Sequence, residues 1–178
     1  MDRVEISMVP AGRAADRDFV TRIVTLVNRV YAEAEKGLWL DGVERTTTEE
    51  VAAMVGAGEL GVARHDGRLV GTVRIQRLGG DLAEFGMLVT DPEYRGLGIG
   101  RALVAFAEDR ARNQGCEWMQ LELLVPQAWT HPVKEFLRDW YERIGYRRVR
   151  VARLAEAYPA LAPRLATPSD FVIYHKSL

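Results

Sequence analysis

The chain has 178 residues, 48% of them apolar and 28% charged, and a formal net charge of −1. That mix suits one soluble domain with a substantial core, and it lacks the basic excess that usually marks a nucleic-acid partner, so none is expected. A single cysteine, Cys116, excludes an intrachain disulfide and a Cys-based metal site, and His65, His131 and His175 are too scattered for a short ligand motif, so no metal is expected. No apolar run reaches membrane-spanning length and the charged start, Met1 to Glu5, does not read as a signal peptide. The expectation is a cytoplasmic protein without membrane contact.

Residues 6–9 read as a strand closed by Pro10-Ala11-Gly12. Phe19, Ile23, Leu26, Val27, Val30 and Tyr31 recur at helical spacing behind a cap at Asp16 or Asp18, and the pattern fades near Gly37. A loop around Trp39 follows, then a short helix opened by Thr47 or Thr48 and stopped by Gly56 and Gly58. Residues 60–64 and 69–77 form two strands around Asp66-Gly67, a good hairpin turn, and 82–90 form a third. A glycine-rich loop, 96–100, leads into a helix ending at Gly115, and 118–125 is another strand. Pro132 starts a helix whose stripe runs Val133, Phe136, Leu137, Trp140, Tyr141 and Ile144, ended by Gly145. Residues 146–154 and 170–176 read as the last strands, separated by a proline-rich loop over 155–169. Runs of strands mixed with crossover helices argue for a mixed, mostly antiparallel α/β sheet of about seven strands flanked by about four helices.

The most informative stretch is Asp91-Pro92-Glu93-Tyr94-Arg95-Gly96-Leu97-Gly98-Ile99-Gly100-Arg101. A strand, a glycine turn and a helix N-terminus together present backbone N–H groups and partial positive charge to a phosphate, and Arg95 and Arg101 can add charge-assisted bonds. A Walker loop fails for want of Lys-Ser or Lys-Thr, and the dinucleotide fingerprint fails because Arg101 stands where its third glycine belongs. What fits is Arg-x-x-Gly-x-Gly, filled by Arg95, Gly98 and Gly100.

On these residues the chain resembles the GCN5-related N-acetyltransferase (GNAT) family, whose acetyl-CoA site uses (Gln/Arg)-x-x-Gly-x-(Gly/Ala). Tyr141-Glu142-Arg143-Ile144-Gly145-Tyr146 is similar to a second family signature, and the likeness runs over nearly the whole chain as one N-acetyltransferase domain, 1–178. The resemblance implies the acyl-CoA N-acyltransferase fold, acetyl-CoA as co-substrate, and a V-shaped opening between the fourth and fifth strands. It implies that backbone groups of Leu88, Val89 and Thr90 hold the pantetheine arm, and that Arg95, Gly96, Leu97, Gly98, Ile99, Gly100 and Arg101 hold the pyrophosphate. It implies Glu84 as the general base, acting through water, and Tyr141 as the acid that protonates the CoA sulfur. On an ideal strand Glu84, Gly86 and Leu88 share a face. Lys134 replaces the asparagine that many relatives carry seven residues before the helix tyrosine, and its place suggests reach to a phosphate.

Each of these residues has a plainer reading. The glycines make a tight turn, Glu84 is solvated or ion-paired, and Tyr141 is a core tyrosine. Trp39 and Trp129 either line an acceptor pocket or pack structurally. Glu122 either faces the cleft or pairs with an arginine, and His131-Pro132 is a helix-start device. The expected reaction moves acetyl from acetyl-CoA to a primary amine of a small molecule or peptide, the proline-rich loop shaping the acceptor pocket. The alternative is a non-catalytic acetyl-CoA-sensing or interaction module on the same fold. A homodimer is suggested by the family resemblance alone.

Overall fold

The computed structural model describes residues 4–178. In chain order it contains β1 (Val4–Met8), a 3-10 turn (Ala11–Ala15), α1 (Arg17–Ala34), α2 (Thr48–Gly56), β2 (Leu60–His65), β3 (Arg68–Gly79) and β4 (Leu82–Thr90). A second 3-10 turn (Pro92–Tyr94) precedes α3 (Ile99–Asn113), β5 (Trp118–Pro126), α4 (Pro132–Arg143) and β6 (Arg147–Ala152). Then come α5 (Leu154–Ala157), a third 3-10 turn (Ala162–Arg164) and β7 (Ser169–Ser177). Thus the proline-rich loop carries two short helical turns. Among the described residues no helix is long and apolar enough to cross a membrane.

Local chemistry sets the helix ends. The Asp16 carboxylate accepts from the Phe19 N–H and starts α1. Thr47 and Glu50 form a reciprocal capping box at α2, and Pro132 occupies the first turn of α4. The seven strands form one sheet in the order β1-β2-β3-β4-β5-β7-β6, antiparallel except for the central β4–β5 pair. That is the mixed, mostly antiparallel sheet the sequence predicts.

The sheet is packed on both faces. On one, α3 and α4 cover Val73, Ile75, Phe85, Met119, Leu121 and Val172. On the other, α1 and α2 cover Leu60, Val62, Met87 and Val89, and the loop after α5 covers Leu124, Phe171 and Ile173.

Two irregularities position the site. The strands β4 and β5 are joined only from Leu82 to Glu84, opposite Trp118 to Gln120. Past that point they part, because β5 pairs along its whole length with β7 on its other side. The second irregularity is a bulge in β4. Arg74 pairs with Gly86 but Thr72 pairs with Val89, so two β4 residues oppose one on β3. Met87 takes a positive φ of 47° there, and Thr72 Oγ1 donates to the Met87 carbonyl at 3.0 Å. The bulge inverts the alternation that an ideal strand would keep. Met87 and Val89 pack towards α1 and α2, whereas Leu88 packs with Phe85 towards α3 and α4. The expectation that Glu84, Gly86 and Leu88 share a face is therefore corrected: Leu88 turns to the opposite face from Glu84.

Candidate active site

The glycine turn joins the open end of β4 to α3. Gly96 and Gly98 have φ of 85° and 69°, conformations that a Cβ would strain, and space around both is open. Gly98 stands immediately before α3 and no side chain caps that helix. The first N–H groups of α3, from Ile99, Gly100 and Arg101, have no intrahelical partner. Gly100 needs no special conformation. A Cβ there would lie 3.8 Å from both Thr90 Oγ1 and Trp140 Cη2, so its bareness keeps room between β4, α3 and α4. Arg95, Leu97 and Arg101 are exposed around the turn. Uncapped donors, flanking guanidinium groups and open glycine surface fit a pyrophosphate.

Leu88, Val89 and Thr90 are divided by the strand. The Asp91 N–H donates to the Val70 carbonyl, and Val89 pairs with Thr72, so the backbone groups of Val89 face β3. By alternation those of Leu88 and Thr90 face the gap beside β5. Leu88 and Thr90 line the cavity that opens there; Val89 does not.

This cavity, about 400 Å³, runs through the fork in the sheet. On the α3–α4 side its walls include Leu88, Gly100, Leu137, Trp140 and Tyr141, and on the other side Tyr31, Arg45, Glu84, Glu122 and Tyr158. Tyr141 is buried against Phe85, Tyr146 and Trp140, and burial pushes its phenol above the usual range. It therefore holds its proton at neutral pH. Glu84 and Tyr141, far apart in sequence, line one space from opposite faces of the sheet.

Glu84 sits where the last β4–β5 pairing ends and is only 8% exposed. Its carboxylate accepts from Gln120 Nε2 at 2.6 Å, and Gln120 Oε1 lies 2.8 Å from His175 Nε2. Burial raises the Glu84 pKa from 4.5 to about 7, with the neighbouring Glu122 carboxylate adding to the rise. Glu122 is held in turn by the Tyr158 hydroxyl, which donates to its Oε2 at 3.0 Å. Glu122 thus faces the cavity, and its partner is a tyrosine rather than an arginine. Arg74, also in the wall, is paired with Glu59 at 2.7 Å.

Lys134 is buried and bonds Glu35 at 2.5 Å, and Trp39 Nε1 reaches the other Glu35 oxygen at 3.2 Å. Burial pushes the Glu35 carboxyl up, and Lys134 more than reverses that, so it stays ionised. The expected reach of Lys134 to a phosphate is corrected: it ties α4 to the end of α1. Trp39 lines the cavity, whereas Trp129 stacks on His131 and donates to Thr167 Oγ1, outside the lining. His131 precedes α4 without capping it through its side chain; its Nε2 lies 3.1 Å from the Lys36 carbonyl. The proline-rich loop supplies Tyr158 and Leu161 to the wall. Sequence reasoning missed Tyr31, Arg45 and Tyr158; the helical spacing registers Tyr31 only as an apolar position, and no local signal marks the other two.

A family model described as acetyltransferase (GNAT) domain matches residues 56–148. Blasticidin-S acetyltransferase of Streptomyces morookaense is 36% identical over 119 residues, which cover 66% of this chain and 71% of that protein. Among solved structures, the PaiA N-acetyltransferase of Thermoplasma acidophilum, in complex with coenzyme A, matches over 99% of both chains with a TM-score of 0.71 and 16% identity. N-acetylglutamate synthase of Neisseria gonorrhoeae, complexed with coenzyme A and N-acetyl-glutamate, matches 100% of this chain with a TM-score of 0.66 and 19% identity; this chain spans 36% of its length. The two structures share the fold, and the first two matches fix the family. The chain belongs to the GNAT acetyltransferase family and is an acyltransferase.

Proposed function

We propose that the protein transfers acetyl from acetyl-CoA directly to a primary amine of a small molecule or peptide, with Glu84 as general base and Tyr141 as general acid. The observation that carries this reading is the placing of Glu84 and Tyr141 on opposite faces of one forked cavity, with Glu84 tuned to about pH 7. Similarity to a blasticidin-S acetyltransferase supports a small-molecule acceptor.

Bound acetyl-CoA supplies an acetyl group activated as a thioester. The α3 N-terminus, with Arg95 and Arg101, holds its pyrophosphate through backbone and guanidinium N–H groups. Backbone groups of Leu88 and Thr90 hold the pantetheine arm, and a β4 N–H stabilises negative charge on the carbonyl oxygen. Glu84 accepts a proton from the acceptor amine through a water, a task suited to a carboxylate that titrates near the working pH. The Tyr141 hydroxyl, still protonated there, donates to the departing sulfur. Cys116 is buried and no covalent intermediate is needed.

The test is CoA release from acetyl-CoA across a panel of primary amines, followed from pH 5.5 to 9. For the best acceptor, kcat/KM rises through about pH 7 in wild type, and in Glu84→Gln it falls by about 10²–10³ and loses that limb. Acetyl-CoA affinity stays unchanged. A variant that keeps both the rate and the limb removes Glu84 from the base role.

A further inference from the structure

The cavity contains charged groups of both signs, and most neutralise one another. Lys134 is spent on Glu35 and Arg74 on Glu59. Two groups remain. One is the acidic pair Glu84–Glu122, and the other is Arg45, which precedes the α2 capping box and projects from the loop after α1.

The Arg45 guanidinium lies over the Tyr31 ring, 5.0 Å from its centroid, and beside the Tyr31 hydroxyl. Among the described residues no carboxylate comes within ion-pair distance of it. The carboxylate that acts on it electrostatically, Glu35, already bonds both Lys134 and Trp39. A guanidinium has five donors in a fixed fork, and Arg45, half-buried in the cavity wall, holds that fork without an anion. Arg45 also lies in the partition between the forked cavity and a second one of about 250 Å³, lined by the loop from Lys36 to Glu44. Tyr158 links the two charged centres: its hydroxyl bonds Glu122 and lies within electrostatic range of Arg45.

Resting on the acetyl-transfer reading above, we propose that Arg45 is an acceptor-recognition residue that binds a carboxylate, so that the acceptor is an amine that also carries an acid. The amine end is drawn to Glu84 and Glu122, and the acid end meets the planar fork of Arg45, whose geometry matches a carboxylate bidentately. The Tyr31 ring backs the guanidinium on one side. A neutral amine of the same shape would leave those donors unanswered and is selected against.

The experiment compares α- and ω-amino acids with their carboxamides and decarboxylated amines, on wild type, Arg45→Met and Arg45→Lys. Turnover is read with acetyl-CoA, and binding by calorimetry with CoA present. Wild type should favour the carboxylate-bearing member of the best pair by about tenfold to hundredfold in KM and Kd. Arg45→Met should abolish that preference while leaving kcat on the neutral amine and acetyl-CoA affinity unchanged, and Arg45→Lys should restore part of it. No preference in wild type, a preference that survives in Arg45→Met, or no amino acid bound at all would overturn the proposal. Carboxylate-dependent binding that Arg45→Met loses, without turnover of any amine, would support the anion site and refute the acetyl-transfer reading instead.

Discussion

Glu84→Gln should stabilise the protein above neutral pH while impairing it as an enzyme. The unfolded chain ionises this carboxyl near 4.5 and the folded chain near 7. Between those values the folded state keeps a proton that the unfolded state releases. The stability linked to Glu84 is therefore complete below about pH 4.5 and is lost as pH rises through about 7. The difference amounts to about 3 kcal/mol disfavouring the buried carboxylate. In a domain of this size that corresponds to about 6–12 °C in Tm. Glutamine keeps the shape and has no proton to lose, so the gap between variant and wild type should widen by that amount from pH 4.5 to pH 8. Titrating groups outside the Glu84–Glu122 pair are common to both proteins and cancel in the comparison, which differential scanning calorimetry in matched buffers would measure. A gap that stays flat across this range would mean that Glu84 ionises normally, and the argument from burial beside Glu122 would be wrong.

Tyr141→Phe should lower kcat by about a hundredfold with the acetyl-CoA Kd unchanged, as steady-state kinetics and calorimetry together would read. Lys134→Met leaves Glu35 buried without its cation and should cost about 3–5 kcal/mol in urea unfolding, with most of the loss recovered by adding Glu35→Leu. Gly98→Ala should lose about 1 kcal/mol because its φ is left-handed. Gly100→Ala, by contrast, should gain up to about 1 kcal/mol as a helical residue with acetyl-CoA affinity little changed, because the added Cβ meets Thr90 and Trp140 only at ordinary contact distance. Thermal melts and acetyl-CoA titrations of the two variants separate these effects.

Local chemistry made much of this fold readable. Asp16, the Thr47–Glu50 box, Asp66-Gly67 and Gly115 each set an element boundary through contacts a few residues long, and the structure keeps those boundaries. The glycine turn was legible for the same reason: donors, glycines and arginines are contiguous. What stayed hidden depends on residues far apart in the chain. The bulge at Met87 arises from the register with Thr72 and Arg74, and it turns Leu88 away from Glu84. Lys134 meets Glu35 across 99 residues, and Tyr158 meets Glu122 across 36. Arg45 sits in a polar loop with no periodicity, so its place between two cavities follows only from the way α1, β5 and the proline-rich loop converge.

The β4–α3 turn and the fork beside it are the proposed coenzyme site. Isothermal titration of acetyl-CoA into wild type and into the Gly98→Asp plus Gly100→Asp double variant tests this most directly. Wild type should bind with roughly micromolar affinity, and the double variant should lose binding while remaining folded by circular dichroism. Binding that survives two carboxylates at the helix N-terminus, or none by folded wild-type protein, would contradict it.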